Sequence, residues 1–268
     1  MNKKVAVITG GTAGIGKQTA IELAAKGCKV VVAGRNMEAG KQVADQIGQD
    51  GGEAIYVYAD VTTEHDVIHL TQVAIDHFGQ IDYLFNNAGT EGVLGPLETN
   101  SEDIIDTVLS VNIKGVILCI KHILPEMRKQ KNGVIVNTAS FVGTTLPLPV
   151  AVVYGASKSA VLSITASVAA SCIEDNIKVY AVCPWVTDTP MADRLTDHNE
   201  EAKAAFGANI NPGKAIVPVE EIASVVSQLF EGTANIQSGE AILVDKGSAC
   251  NLVNMMSVGN RVSLKVNR

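Results

Sequence analysis

Charged residues are scarce in this chain. They make up 18% of its 268 residues, against about 25% in an average soluble domain, while hydrophobic residues reach 47%. That balance excludes a disordered chain and implies extensive burial. Positive charge is scarcer still. Lys and Arg total 21 against 28 Asp and Glu, a net charge of −7, so no basic field exists to hold nucleic acid or an anionic membrane. The five cysteines (Cys28, Cys119, Cys172, Cys183 and Cys250) lack the spacing of a zinc site or a disulfide framework. Each reads as a small buried hydrophobe of a reducing compartment. No uninterrupted apolar run reaches the ~18 residues of a membrane span. The apolar run after the basic MNKK start is too short for a secretory signal. Linkers, repeats and low-complexity tracts are missing too. The expectation is a soluble, cytoplasmic, single-domain protein.

What is present is a rhythm. β-branched runs fall at 5–9, 29–33, 54–59, 81–86, 134–138, 179–183 and 241–245, and most are continuously apolar, as in parallel strands covered on both faces. Helical patterns lie between them at 14–26, 37–49, 63–78, 101–130, 152–175 and 218–231. Strand–helix alternation of this kind predicts an α/β fold: one doubly wound, seven-stranded parallel sheet over residues 1–248, with helices on both faces. Residues 187–217 turn polar and rich in Pro and Gly, and read as a lid. The tail 249–268 has no clear period and reads as disordered or docked on a second subunit. The stretch Ser159–Ile173 has no charge and is dense in Ala, Ser and Thr. It reads as a helix buried once in the subunit and again between subunits, the alternative being a core helix of a monomer.

Between the first strand and first helix stands Thr9-Gly10-Gly11-Thr12-Ala13-Gly14-Ile15-Gly16. Glycines at 10, 14 and 16 allow a tight turn, close backbone approach to a pyrophosphate and close helix–strand packing. The helix start then offers free N–H groups to the phosphates. The second strand ends Ala33-Gly34-Arg35, with glycine where an NAD-preferring fold places a carboxylate for the ribose 2′-OH. Arg35 suits a 2′-phosphate through forked, charged hydrogen bonds, so NADP(H) is favoured. The alternative is NAD(H), with Arg35 a solvated surface residue. Asp60-Val61 follows the third strand, where the carboxylate can accept from an adenine amino group. Asn86-Asn87-Ala88-Gly89 follows the fourth, where small residues admit a ribose; a plain turn also explains it.

Tyr154 and Lys158 lie four apart on one face of a predicted helix, Ser140 follows the fifth strand, and Asn112 sits late in the preceding helical region. Together with the Thr-Gly-x-x-x-Gly-x-Gly loop at 9–16 and Asn-Asn-Ala-Gly at 86–89, these residues strongly resemble the short-chain dehydrogenase/reductase family over nearly the whole chain, to about Ser248. The resemblance implies a Rossmann fold, a nicotinamide cofactor and reversible hydride exchange between a secondary alcohol and a ketone. It makes Asn112, Ser140, Tyr154 and Lys158 catalytic. Tyr154 serves as general base or acid, Ser140 positions the substrate oxygen, Lys158 also holds the nicotinamide ribose, and Asn112 seats a relay water. A free phenol has pKa ~10, so the base role needs roughly 4 kcal/mol of anion stabilisation, expected from the lysine ammonium and the oxidised nicotinamide.

The chain departs from the family pattern at Pro184-Trp185-Val186-Thr187-Asp188-Thr189, where its only tryptophan replaces a glycine. The resemblance still sets Pro184, Thr187 and Thr189 against the cofactor, with Trp185 pressing on the nicotinamide or narrowing the substrate mouth. Asp245-Lys246-Gly247 replaces the usual Asp-Gly-Gly. Phe141, Leu146, Val150, Trp185, Met191, Leu195 and Phe206 are apolar where relatives build a substrate pocket, which suggests a hydrophobic or alicyclic substrate. Glu91 is a candidate substrate contact or a surface acid. His65 and His69 are four apart on one helix face, but no third ligand is near them in sequence, so no metal is expected. A homotetramer, or a homodimer, is the expected assembly. The rival to an enzyme is a dinucleotide-binding sensor or scaffold, which would be expected to have lost Tyr154, Lys158 or Ser140.

Overall fold

The computed structural model describes residues 3–144 and 146–251. The first half runs β1 (Val5–Thr9), α1 (Gly14–Ala25), β2 (Lys29–Gly34), α2 (Met37–Gln49), β3 (Glu53–Tyr58), α3 (Glu64–Phe78) and β4 (Tyr83–Asn86). The middle runs α4 (Glu102–Leu109), α5 (Gly115–Gln130), β5 (Gly133–Thr138), α6 (Val152–Ser171) and β6 (Ile177–Pro184). Last come α7 (Pro190–Leu195), α8 (Glu200–Ile210), α9 (Val219–Glu231), β7 (Ala241–Asp245) and β8 (Ser248–Asn251).

The strands form one sheet in the order β3-β2-β1-β4-β5-β6-β7-β8. All neighbouring pairs are parallel except the last. Consecutive residues of a strand point to opposite faces, and in the central strands both faces are covered. Val7 joins a core with Leu70 of α3, Ile123 of α5 and Val161 of α6. Its neighbour Ile8 joins the other core, with Leu23 of α1 and Ile222 of α9. The order reverses between β1 and β4, so their carboxyl ends part and open a crevice there.

The sheet has eight strands rather than seven. A turn at Lys246-Gly247, with Gly247 at φ +70°, folds Ser248–Asn251 back antiparallel onto β7. Three residues assigned to the tail therefore complete the sheet edge, while 252–268 lie outside the described residues. Lys246 is exposed in that turn, and nothing in the structure explains its choice.

The helical region predicted as 101–130 is two helices, α4 and α5, joined by a π turn at Ser110–Lys114. The region predicted as 152–175 ends at Ser171, with a short 3-10 turn at Ile173–Asp175. One face of α6 (Gly155, Lys158, Val161, Thr165) lies on the sheet, while Ala156, Ser159, Ser163, Ala166 and Ala170 are exposed in the single chain. It is not, then, a helix enclosed by the monomer's core. α6 is also long and apolar enough to span a membrane, but its sheet-facing side carries the buried ammonium of Lys158.

The 187–217 segment is not an irregular loop. Thr189 caps α7 by accepting from Ala192 N, and Asn199 caps α8 by accepting from Ala202 N. At its root, Asn211 accepts from Val186 N at 2.9 Å and donates to Val186 O at 2.9 Å, and Thr187 bridges Val217. Lys203, nearly buried, binds Asp188, Asp193 and Glu200 at 2.9, 2.8 and 3.0 Å and ties α8 to α7.

Candidate active site

The glycine loop lies at the carboxyl end of β1. Gly10 adopts φ +62°, where a Cβ would meet Ala88 Cα at 2.9 Å. At Gly16 a Cβ would stand 2.3 Å from the Gly10 carbonyl, so the loop closes onto α1 only with glycine there. α1 opens on Ala13 with no side-chain cap and no acid in its first turn. Its leading N–H groups are thus left for an external anion. Facing them is Thr189, whose methyl would lie 3.3 Å from a Cβ on Gly14. The gap between a helix start without a cap and Thr189 is a cradle suited to a pyrophosphate.

Asn87 has a role in the fold that its motif did not reveal. Its Nδ2 donates to the Thr9 and Gly10 carbonyls at 3.3 and 3.2 Å. Thr9 Oγ1 in turn accepts from Asn87 N and Ala88 N. These bonds stitch β4 to the glycine loop and leave Ala88 and Gly89 flooring the crevice.

Ser140 sits where β5 ends and caps the following turn, its Oγ accepting from Val142 N at 3.3 Å. The hydroxyl and the Tyr154 phenol line the same cavity. One helical turn on, Lys158 Nζ donates to Thr138 O at 2.8 Å and lies 5.6 Å from the Tyr154 ring centroid. Asn112 belongs to the π turn and is fully buried. Its Oδ1 accepts from Thr90 N at 2.9 Å, and its Nδ2 donates to Thr90 O at 2.8 Å and Ser157 Oγ at 2.9 Å. Asn112 thus locks the β4 loop, the α4–α5 break and α6 into one unit. The π turn that breaks the helical region at this residue lies beside the site. A Cβ on Gly89 would be 3.4 Å from both Asn112 Oδ1 and Lys158 Nζ, so the amide and the ammonium converge on that glycine.

Burial dominates the electrostatics. It pushes the Tyr154 phenol up to about 12, a rise that the nearby Ser140 hydroxyl only partly opposes. It pulls the Lys158 ammonium down to about 8. The expected stabilisation of the phenolate draws on the lysine ammonium together with an oxidised nicotinamide; in the chain by itself loss of solvent dominates the phenol. Cys183, on β6 beside these groups, is pushed up to about 12 by burial and stays a thiol.

A cavity of about 280 Å³ joins the glycine loop to Ser140 and Tyr154. Of the predicted cofactor and substrate residues, Gly10, Gly14, Ile15, Asn87, Ala88, Gly89, Lys158, Pro184, Trp185, Thr187 and Thr189 also line it. Trp185 stacks on Phe141 at 4.4 Å and 15°, forming an aromatic wall. Leu148, Met191, Leu195 and Phe206 complete the apolar side. Leu146 and Val150, predicted for this pocket, are exposed instead.

Arg35 and Asp60 stand apart from that cavity, in a shallow depression with Asp103 and Asp106. The Arg35 side chain is 69% exposed, and its only ion-pair contact among the described residues is Asp60 at 3.8 Å. Asp60 Oδ1 accepts from Thr62 N and Thr62 Oγ1, so one oxygen is committed to its own turn. Gly34 is covered by the Thr12 methyl, 2.9 Å from where a Cβ would be, which accounts for the glycine and gives Thr12 a packing role. The Val61 side chain is buried in the core against Gly115, which leaves its backbone as the part next to Asp60 that could meet a cofactor. His65 and His69 are exposed on α3, and among the described residues no cluster of three metal-ligating side chains occurs.

Glu91 is neither a surface acid nor a free substrate contact. It is 8% exposed, and both its oxygens accept from Arg194, Nε at 2.8 Å and Nη2 at 3.0 Å. Both residues line the cavity. Sequence reasoning missed Arg194 because 103 positions separate the partners and no local pattern links them.

A crevice at the sheet's reversal point, a glycine cradle and a Ser–Tyr–Lys group define an oxidoreductase that uses a nicotinamide dinucleotide on alcohols or ketones. The chain belongs to the short-chain dehydrogenase family, whose model matches residues 4–200. It is similar to levodione reductase of Leifsonia aquatica, 34% identical over 92% of this chain and 94% of that protein. Cyclopentanol dehydrogenase of Comamonas testosteroni is 32% identical, over 94% and 99% of the two chains. Among solved structures, a single-substitution variant of actinorhodin polyketide ketoreductase with NADPH aligns with TM-score 0.85 at 29% identity, covering 91% of this chain and 97% of the other. NAD+-bound xylitol dehydrogenase gives the same score and identity, covering 91% and 98%.

Proposed function

We propose that the chain reduces a small apolar or alicyclic ketone with NADP(H), and oxidises the corresponding secondary alcohol, with Tyr154 as the proton donor and acceptor. The observation that carries this reading is the convergence of Ser140, Tyr154 and Lys158 on one cavity that begins at the glycine cradle. The apolar lining agrees with cyclopentanol as a relative's substrate.

Gly10, Gly14, Ile15 and Thr189 would hold the pyrophosphate, Ala88, Gly89 and Lys158 the nicotinamide ribose, and Pro184 and Thr187 the nicotinamide amide. Bound there, the nicotinamide supplies the hydride for reduction and accepts it in oxidation. Tyr154 delivers its phenolic proton to the carbonyl oxygen, and Ser140 donates a hydrogen bond to the same oxygen and fixes its place. Asn112 holds the loop and helix around Gly89 and seats the water that reprotonates the site. With its phenol near 12, Tyr154 is protonated throughout the neutral range, the form that reduction uses. Oxidation needs the phenolate, which requires Lys158 charged and a second positive charge nearby.

Preference for NADP(H) rests on Gly34 and on the exposed Arg35 guanidinium. Asp60 is placed for the adenine amino group. Replacing Arg35 with Ala is expected to weaken NADPH binding by roughly 10- to 100-fold, the worth of a charged hydrogen bond, and to leave NADH binding unchanged. Equal weakening of both, followed by Trp185 fluorescence, contradicts the assignment. One observation favours NAD(H) instead: Asp60, Asp103 and Asp106 surround the lone guanidinium and oppose a 2′-phosphate. On that reading wild-type chain binds NADH at least as tightly as NADPH. The exposed small-residue face of α6 is proposed as a contact in a cytoplasmic homotetramer, or a homodimer.

A further inference from the structure

Glu91 is a buried carboxylate on the loop after β4, and its only ion-pair partner among the described residues is Arg194. The pair is forked, with two N–H groups on two oxygens, the geometry in which a guanidinium neutralises a carboxylate most fully. Glu91 is rooted in the sheet, whereas Arg194 is half exposed and belongs to α7, a six-residue helix over the cavity. The two charges are thus held by different elements, one on the loop after β4 and one on the helix over the cavity.

Glu91 and Arg194 line the same cavity as Ser140, Tyr154 and Lys158, with Cys183 of β6 beside these groups. Glu91 is the one negative charge among them and opposes ionisation of the phenol. Arg194 is additionally influenced by Asp193 beside it.

We infer that Arg194 governs Tyr154 through Glu91: seated, its guanidinium offsets part of the carboxylate charge beside the phenol, and lifted, it leaves that charge to act in full. Glu91 and Arg194 are positioning residues for proton transfer, and the inference rests on the Tyr154 role proposed above. Covering the cavity and readying the proton-transfer group become one event, so alcohol is oxidised only under a closed lid.

The test compares wild type, Arg194→Met, Glu91→Gln and the double variant. One readout is the pH profile of kcat/KM for alcohol oxidation. The other is ultraviolet titration of the Tyr154 phenolate, taken as the difference from each chain's Tyr154→Phe counterpart. In Arg194→Met the ionisation is expected to rise by about one pH unit, a loss of about tenfold in oxidation at a pH below the limb. In Glu91→Gln it falls, and the double variant returns close to wild type. No rise in Arg194→Met, or a rise that Glu91→Gln does not cancel, overturns the inference and leaves Arg194 as a fastening for α7. If Arg194→Met does not fold, Glu91→Gln decides alone, since an ionisation that fails to fall overturns it equally. The phenolate titration needs no turnover, so a wild type inactive on every substrate counts against the oxidoreductase reading and not against this coupling.

Discussion

Tyr154→Phe is expected to lower kcat for ketone reduction by about a thousandfold while leaving cofactor affinity unchanged. General acid–base catalysis is worth roughly 10²–10⁴-fold, and here the phenol shares one cavity with Ser140 and Lys158. The change removes one oxygen and keeps the ring, so the packing of α6 on the sheet survives. Steady-state rates with a panel of cyclic ketones, alongside Trp185 fluorescence titrations, check both halves. Undiminished turnover removes Tyr154 from the chemistry.

Lys158→Met should do two opposite things. Activity falls by at least about a hundredfold, because the charge that assists ionisation of the phenol is gone. Stability rises. Lys158 is 3% exposed and its ammonium is pulled from 10.5 to about 8, so the folded chain holds that charge at a cost below pH 8. Such a shift corresponds to roughly 3 kcal/mol, of which the lost hydrogen bond to Thr138 offsets about 1. At pH 7 without cofactor the variant is expected to melt about 5 °C higher, at 2–4 °C per kcal/mol for a chain of this size. The sign with pH follows. Between about 8 and 10.5 the unfolded chain binds the proton that the folded chain has lost, so this group's contribution makes wild type more stable as pH rises through that window. The gap to Lys158→Met should close over the same range. Melting curves at pH 7 and pH 10 measure it, and a gap that stays constant or widens contradicts the buried-charge account. A residue that lowers stability to serve the site is what a buried catalytic lysine entails.

Much of this was legible in the residues. The continuous apolar runs of the central strands can only be doubly covered, which predicts the parallel sheet and its reversal point. The glycine loop, Ser140, Tyr154 and Lys158 lie at strand ends and on one helix face, so local spacing suffices to bring them into one cavity. What escaped was decided by distant partners. β8 is Ser-Ala-Cys-Asn, with no apolar run of its own, and becomes a strand only because the turn at Gly247 lays it on β7. The π turn around Asn112 is held by Thr90 and Ser157, 22 and 45 positions away. The α7 and α8 helices carried readable caps, Thr189 before Pro190 and Asn199 before two glutamates, but the surrounding prolines and glycines outweighed them. The Glu91–Arg194 pair carried no local signal at all.

The most direct test of the central claim is the rate of NADPH and NADH consumption by the unmodified chain over a panel of cyclic and open-chain ketones. The same preparations are titrated with cofactor by Trp185 fluorescence. The expected result is saturable binding, tighter for NADPH, together with steady turnover of at least one apolar ketone and reversal with its alcohol. Saturable binding with no turnover on any ketone or alcohol would contradict it, and would make this chain a dinucleotide-binding sensor or scaffold that keeps the catalytic residues without using them.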